Sequence, residues 1–281
     1  MKYDAYYNGK FCGKSDVKIP LTDRAIYFGD GVYDAVLGRG GKCFLLGEHL
    51  TRLAKNALAI GLSDKIDTDE IIFVIDKLIK DIKGAFFLYI QLSRSGKERA
   101  HSYPDGLGPN LLITVTERAA PSPDIPLRLI TVPDIRYFLC NIKTINLLPA
   151  VLASKEAERR GADEAVFHRG DTVTECAHSN IHIIRNGVLY THPEGPLILP
   201  GIERAHALKV CRELDIEYKE EPFSLVELLG ADEVLVTSTT KLGVKATYVE
   251  DKRYEPKKDS IGSAICKRMA SDFEKNTDFS L

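Results

Sequence analysis

The chain has 281 residues, a formal net charge of −2 at pH 7, and 44% hydrophobic and 28% charged residues. That is enough apolar material for one large domain or two of middle size. No basic stripe interleaved with aromatics points to nucleic acid, no apolar run is long enough to cross a bilayer, and the first residues lack the apolar stretch of a secretory signal. The six cysteines (Cys12, Cys43, Cys140, Cys176, Cys211, Cys266) are scattered and form no C-x-x-C pair. This argues against a disulfide framework or a structural zinc site, so no metal is expected, and it suits a reducing, cytoplasmic compartment.

In chain order, Tyr6-Tyr7-Asn8-Gly9-Lys10-Phe11 predicts a hairpin closed by a type I′ turn at Asn-Gly. Residues 48–60 carry Leu50, Leu53, Ala54, Ala57 and Leu58 at helical spacing. Residues 67–82 repeat the pattern after an Asp-x-Thr-Asp start that supplies a cap. Residues 85–92 and 110–115 read as strands, and 117–123, with two prolines and small residues, as a linker. Beyond it, 127–132 and 163–167 read as strands and 151–160 as a helix closed by Gly161. Residues 180–190 form a second hairpin around Asn186-Gly187, and 201–214 a helix. Residues 233–237 are strand-like and 261–273 a last helix. The expectation is an α+β protein of two α/β-type domains, a smaller one over 1–120 and a larger one over 121–281. A cleft between two such domains is a common place for a ligand.

Several residues are candidates for chemistry. Lys143 lies in the apolar, β-branched run Ile142-Lys143-Thr144-Ile145-Asn146-Leu147-Leu148, which looks like a strand interior or the approach to one. A desolvated lysine loses its proton more readily and then acts as a nucleophile toward an aldehyde. Read alone, Lys143 is either an exposed lysine at a strand end or the anchor of a cofactor. Leu199-Pro200-Gly201-Ile202-Glu203-Arg204 opens a helix whose free N–H groups suit a phosphate, and Thr237-Ser238-Thr239-Thr240 sets hydroxyls after a strand. Each also has an ordinary reading, as a helix entry and as strand filler, and neither is a Walker A loop. Glu175 is either a solvated turn residue or a buried partner for a cation. Arg99-Ala100-His101 can converge on a carboxylate or stay solvated. Tyr33 follows the turn at Phe28-Gly29-Asp30-Gly31 and is a site residue or a core tyrosine.

Seven segments in order resemble the class IV (fold type IV) pyridoxal-phosphate aminotransferases, and most of all their D-amino acid (D-alanine) branch. They are Phe28-Gly29-Asp30-Gly31-Val32-Tyr33, Glu48-His49-Leu50-Thr51-Arg52-Leu53, Arg99-Ala100-His101, the Lys143 segment, Thr172-Val173-Thr174-Glu175, Leu199-Pro200-Gly201-Ile202 and Thr237-Ser238-Thr239-Thr240. The resemblance implies a Schiff-base lysine at Lys143 and a carboxylate at Glu175 facing the pyridine nitrogen. It implies a phosphate cup from Arg52, Gly201, the backbone of Ile202 and Glu203, Ser238 and Thr239, with Leu199 behind the ring. It further implies a trap for the substrate α-carboxylate from Tyr33, Arg99 and His101. In the family the Arg and His of this trap come from the neighbouring subunit, which implies a homodimer. The expected activity is transamination between D-amino acids (D-alanine, D-glutamate) and 2-oxo acids (2-oxoglutarate, pyruvate). A branched-chain L-aminotransferase or an aminodeoxychorismate lyase of the same fold is the alternative, and these usually lack the Arg-x-His loop. The chain departs from the D-branch pattern at Cys176-Ala177-His178, where Gly-Ser-Ser is usual. It departs again at Asp34 and Ala35, where Glu and a larger apolar residue are expected beside the substrate.

Overall fold

The structure is a computed structural model and describes residues 3–103, 106–255 and 257–277. By contact these fall into two compact units. The first holds residues up to 120, residues 142–146 and the end of the last helix from Lys275; the second holds 121–141 and 147–274. Residues 142–146, and Lys143 with them, therefore group with the first unit although they follow the 117–123 segment.

The first unit is built from β1 (Ala5–Tyr7), β2 (Lys10–Cys12), α1 (Arg24–Phe28), β3 (Gly31–Arg39), β4 (Lys42–Cys43), α2 (Leu46–Ala59), α3 (Thr68–Ile79), β5 (Ala85–Arg94) and β6 (Pro109–Arg118). Its six strands form an antiparallel sheet in the order β2-β1-β6-β5-β3-β4. The first hairpin closes as expected, with Tyr7 paired to Lys10 and both Asn8 and Gly9 at positive φ, the conformation a type I′ turn requires. Asp67 caps α3 by accepting from the Glu70 N–H. Strand alternation sorts the sheet into two faces. Val32, Val36, Phe86, Leu88, Ile90, Ile113 and Val115 point to one core cluster, shared with Leu50, Leu53, Ala57, Ile71, Val74, Ile75 and Leu78 of α2 and α3. Tyr33 and Ala35 of β3 and Tyr89 and Gln91 of β5 alternate with them and belong to the other face. β3, the strand that organises the site in this unit, has no continuous alternation of apolar and polar residues, because Asp34 sits where the core pattern calls for an apolar side chain.

The second unit continues with β7 (Leu127–Pro133), α4 (Leu148–Arg159), β8 (Glu164–Arg169), β9 (Thr172–Cys176), β10 (Asn180–Arg185), β11 (Val188–Thr191), α5 (Ile202–Glu213), β12 (Tyr218–Glu220), α6 (Leu225–Gly230), β13 (Glu233–Ser238), β14 (Leu242–Val249), β15 (Lys252–Arg253) and α7 (Ile261–Thr277). Its sheet runs β12-β11-β10-β13-β14-β7-β8-β9, with β15 on β14. The pairs β11–β12, β14–β7 and β7–β8 are parallel and the rest antiparallel. The Asn186-Gly187 hairpin again has both residues at positive φ. Helices and both kinds of strand pairing together give the α+β architecture expected from the sequence.

Candidate active site

The Lys143 segment is not a strand interior. Residues 142–146 run as an irregular chain along β3, joined to it by one isolated bridge between Val32 and Thr144. The Tyr33 N–H donates to the Lys143 carbonyl at 3.0 Å and the Ile145 N–H to the Gly31 carbonyl at 3.2 Å. Asn146 donates through Nδ2 to the Gly29 carbonyl at 2.8 Å. Gly29 adopts a left-handed φ of 59° as the C-cap of α1, and a Cβ there would lie 2.7 Å from Asn146 Oδ1. The β-branched run is thus used to lay an edge against β3 without extending the sheet. Lys143 is half-buried, and its Nζ lies 4.3 Å from the centre of the Tyr33 ring. That ring stacks on Tyr89 at 5.4 Å. Contact with aromatic faces holds an amine in place for about 1 kcal/mol without neutralising it by a carboxylate.

Arg52 is buried on α2 and meets Asp34 in a fork: Nε to Oδ2 at 2.9 Å and Nη2 to Oδ1 at 2.8 Å. His49 Nδ1 lies 2.7 Å from Oδ1. The resemblance places Asp34 and Ala35 together beside the substrate. Successive strand residues face opposite ways, so Asp34 goes to the helix-covered face and Ala35 to the other. Burial works against the Asp34 charge, but the Arg52 guanidinium and His49 hold its carboxyl well below the usual carboxylate range.

Arg99 and His101 are exposed and share one neighbour, Phe28: the His101 ring centre and the Arg99 guanidinium each lie 5.4 Å from its ring. Their loop is tied down by the buried Arg24, which donates to the carbonyls of Ala100 and His101 at 2.5 and 3.0 Å. Arg24 in turn pairs with Asp30 at 2.7 Å, as does Arg94 at 3.0 Å. Nothing local in the sequence signals this anchoring, because Asp30 reads there only as part of a turn.

In the second unit Glu175 is buried at the end of β9. It accepts from Arg136 Nη1 at 2.5 Å, Asn180 Nδ2 at 3.1 Å and the Leu199 N–H at 3.0 Å. Arg136 is itself held by Asp134, at 2.9 Å through both Nε and Nη2. Burial opposes the Arg136 charge, yet Asp134 and Glu175 raise its pKa above the ordinary guanidinium value. Glu175 is therefore an oriented carboxylate in a cationic setting, and the solvated-turn alternative falls. Arg136 does not stand out in the sequence; its only signal is the Asp-x-Arg spacing directly after β7.

Asn180 links Glu175 to the helix entry. It also donates to the Leu199 carbonyl at 2.9 Å, and a Cβ on Gly201 would collide with its Oδ1. Gly201 is the N-cap of α5, and no side chain among the described residues caps this helix start, which suits the first N–H groups at Ile202 and Glu203 to an acceptor from outside the helix. The Glu203 side chain turns away into the buried group it makes with His206, at 3.2 Å. Register pairs Asn180 with Thr237, which brings the half-buried turn at Ser238 and Thr239 to the strand next to Asn180. His178, from the divergent Cys176-Ala177-His178 run, is half exposed with Nδ1 3.1 Å from Glu164. The fully buried Glu164 also takes Lys241 at 2.8 Å and Ser179 at 3.0 Å. The candidate residues thus divide between the units: Tyr33, Arg52, Arg99, His101 and Lys143 in the first, and Glu175, Leu199, Gly201, Ile202, Glu203, Ser238 and Thr239 in the second.

An aromatic-framed lysine in the first unit, and a buried oriented carboxylate and an uncapped helix start in the second, are the groups that the class IV aminotransferase resemblance calls for. The fold agrees: a branched-chain aminotransferase from Thermoproteus uzoniensis superposes with a TM-score of 0.89 at 21% identity, over 98% of this chain and 97% of that one. The amino-transferase class IV family pattern matches residues 31–247. The chain belongs to the class IV aminotransferases. It is 37% identical over 276 residues to the D-alanine aminotransferase of Staphylococcus aureus (strain COL), and 34% identical over the same length to that of Staphylococcus epidermidis, with 96% of each chain covered in both cases.

Proposed function

We propose that the chain transfers amino groups between D-amino acids, D-alanine and D-glutamate first, and 2-oxo acids such as 2-oxoglutarate and pyruvate. The observation that carries this reading is the 34–37% identity, end to end, with relatives named D-alanine aminotransferases. The Arg99-Ala100-His101 loop supports it. Class IV aminotransferases use pyridoxal phosphate, which when bound supplies an electron sink for the bonds at the substrate α-carbon.

The residues present fit that cofactor. The uncapped start of α5 at Gly201, Ile202 and Glu203 offers N–H donors to a phosphate, to which, by the resemblance, Ser238 and Thr239 would add hydroxyls and Arg52 a cation. Glu175, held by Arg136, Asn180 and Leu199, is an acceptor for a protonated ring nitrogen. Leu199 adds its apolar side chain behind the ring. Lys143 is the covalent anchor, and its freed Nζ would take the proton from the substrate α-carbon and deliver it to the cofactor carbon that keeps the amino nitrogen.

Handedness follows from where the α-carboxylate is held. Lysine removes a proton from one fixed face, so the position of the carboxylate decides which enantiomer presents its hydrogen there. Tyr33, Arg99 and His101 form that trap, Arg99 and His101 acting in the neighbouring subunit of a homodimer. The apolar surface of α4 supports such an assembly: Leu148, Val151 and Leu152 recur at i, i+3 and i+4 and are each more than half exposed. Six free cysteines suit a reducing cytoplasm.

The test is a paired assay with 2-oxoglutarate and each enantiomer of alanine, glutamate, leucine and valine, with chiral analysis of what is consumed and Lys143→Ala as the control. Consumption of D-alanine by the wild type and none by the variant is expected. Exclusive use of L-leucine or L-valine would refute D-specificity, and full turnover by Lys143→Ala would refute the role of the lysine.

A further inference from the structure

Asp34 is a charged residue in the wrong place for its strand. β3 alternates, and the neighbours of Asp34 on its own face are Val32 and Val36, both in the apolar core. Directly across the ladder lies Ile90. Asp34 is fully buried there. A carboxylate in such surroundings is costly unless paired. Its partners are Arg52, met at 2.9 and 2.8 Å by two nitrogens of one guanidinium, and His49 at 2.7 Å. His49 and Arg52 are three residues apart on α2 and so share one helix face. A two-point contact fixes the plane of the guanidinium as a one-point contact cannot.

We propose that Asp34, backed by His49, is a positioning residue that orients Arg52 for the cofactor phosphate. The inference rests on the reading of Arg52 as part of the phosphate cup. Two effects of Asp34 oppose each other. Its negative charge lowers the potential near Arg52 and by itself would weaken phosphate binding. Its fork removes the conformational freedom that Arg52 would otherwise lose on binding. Arginine rotamer freedom corresponds to a factor of up to about 30 in affinity. The His49 ring nitrogen, 2.7 Å from Oδ1, shares the carboxylate and limits the charge term, so orientation wins. The sign of the effect separates the two: an electrostatic role predicts that Asp34→Asn binds phosphate more tightly, a positioning role that it binds more weakly.

The experiment strips the cofactor from the protein and titrates it with pyridoxal phosphate and, separately, with pyridoxal, which lacks the phosphate. Asp34→Asn is expected to weaken pyridoxal phosphate about tenfold and pyridoxal hardly at all. An unchanged or tighter phosphate affinity in a folded Asp34→Asn protein would overturn the inference. So would an equal loss for both ligands, which marks a role in folding alone. Arg52→Gln separates the inference from the reading beneath it. If Arg52→Gln loses the preference for the phosphorylated ligand and Asp34→Asn keeps it, positioning fails and the cup stands. If Arg52→Gln keeps the preference, the role of Arg52 in the cup fails, and positioning with it. Should Asp34→Asn not fold, His49→Gln carries the test, since it leaves the fork in place but removes its backing. A selective loss of phosphate affinity supports the proposal, and no loss overturns it.

Discussion

His182 shows how one buried side chain can set the acid limit of the fold. It is fully buried on β10, with Nε2 2.9 Å from Thr237 Oγ1 and no hydrogen-bond partner for Nδ1 among the described residues. Burial, and then the nearby Arg204 charge, push its pKa down to about 3. In the unfolded chain a histidine titrates near about 6.5. Between these values the unfolded state binds a proton that the folded state refuses, so stability falls as pH drops from about 6.5 to about 3. The penalty is on the order of a few kcal/mol at the bottom of that window. Urea unfolding of wild type and His182→Gln at pH 7 and pH 4 checks this. The variant is expected to lose less stability on acidification, and an equal loss in both proteins would contradict it.

Among the site candidates of the second unit, the element whose placement matters most is α5. Its start is set against Glu175 by packing, not by a cap. Gly201 has an ordinary φ of −69°, so glycine is needed there for space and not for conformation. A methyl group on it must displace Asn180, which holds both Glu175 and the Leu199 carbonyl. Overpacking of this kind costs about 1–3 kcal/mol. Gly201→Ala is therefore expected to lower the thermal midpoint and also to weaken pyridoxal phosphate in the cofactor titration. Unchanged affinity in a folded variant would mean that the helix start and the Glu175 group are not coupled. The neighbouring His206 belongs to the same element: burial lowers its pKa, but Glu203 and then Asp272 outweigh burial and raise it, which keeps the buried end of α5 paired.

At the scale of the whole molecule, the proposed carboxylate trap needs a second copy, and its assembly can be tested. Arg99 and His101 lie on the surface of the first unit, and α4 in the second presents Leu148, Val151 and Leu152 to solvent. Apolar residues repeated along one helix face are more costly in water than in an interface. Sedimentation at micromolar concentration is expected to give a dimer. Val151→Asp with Leu152→Asp is expected to shift it to monomer and to cut D-alanine turnover by on the order of tenfold or more. A fully active wild-type monomer would dispose of the shared site.

Local signals in the sequence carry much of this protein. The hairpins at Asn8-Gly9 and Asn186-Gly187, the Asp67 cap and the helical runs of α2 and α3 depend on φ and ψ or on partners a few residues away, so they are legible in the amino-acid sequence alone. The ordered motifs likewise point to the family that the whole-length comparison establishes. What tertiary structure decides is convergence and facing. Arg136 reaches Glu175 across 39 residues, Arg52 reaches Asp34 across 18, and Asn146 ties the Lys143 segment to Gly29 across 117. Such pairs depend on strand register and on which face of a sheet a helix covers, and a one-residue change in either would turn every side chain the other way. For that reason Lys143 is visible as a reactive candidate from its neighbours in sequence, while its place on a loop along β3, over the Tyr33 ring, and the inward turn of Asp34 toward Arg52 are not.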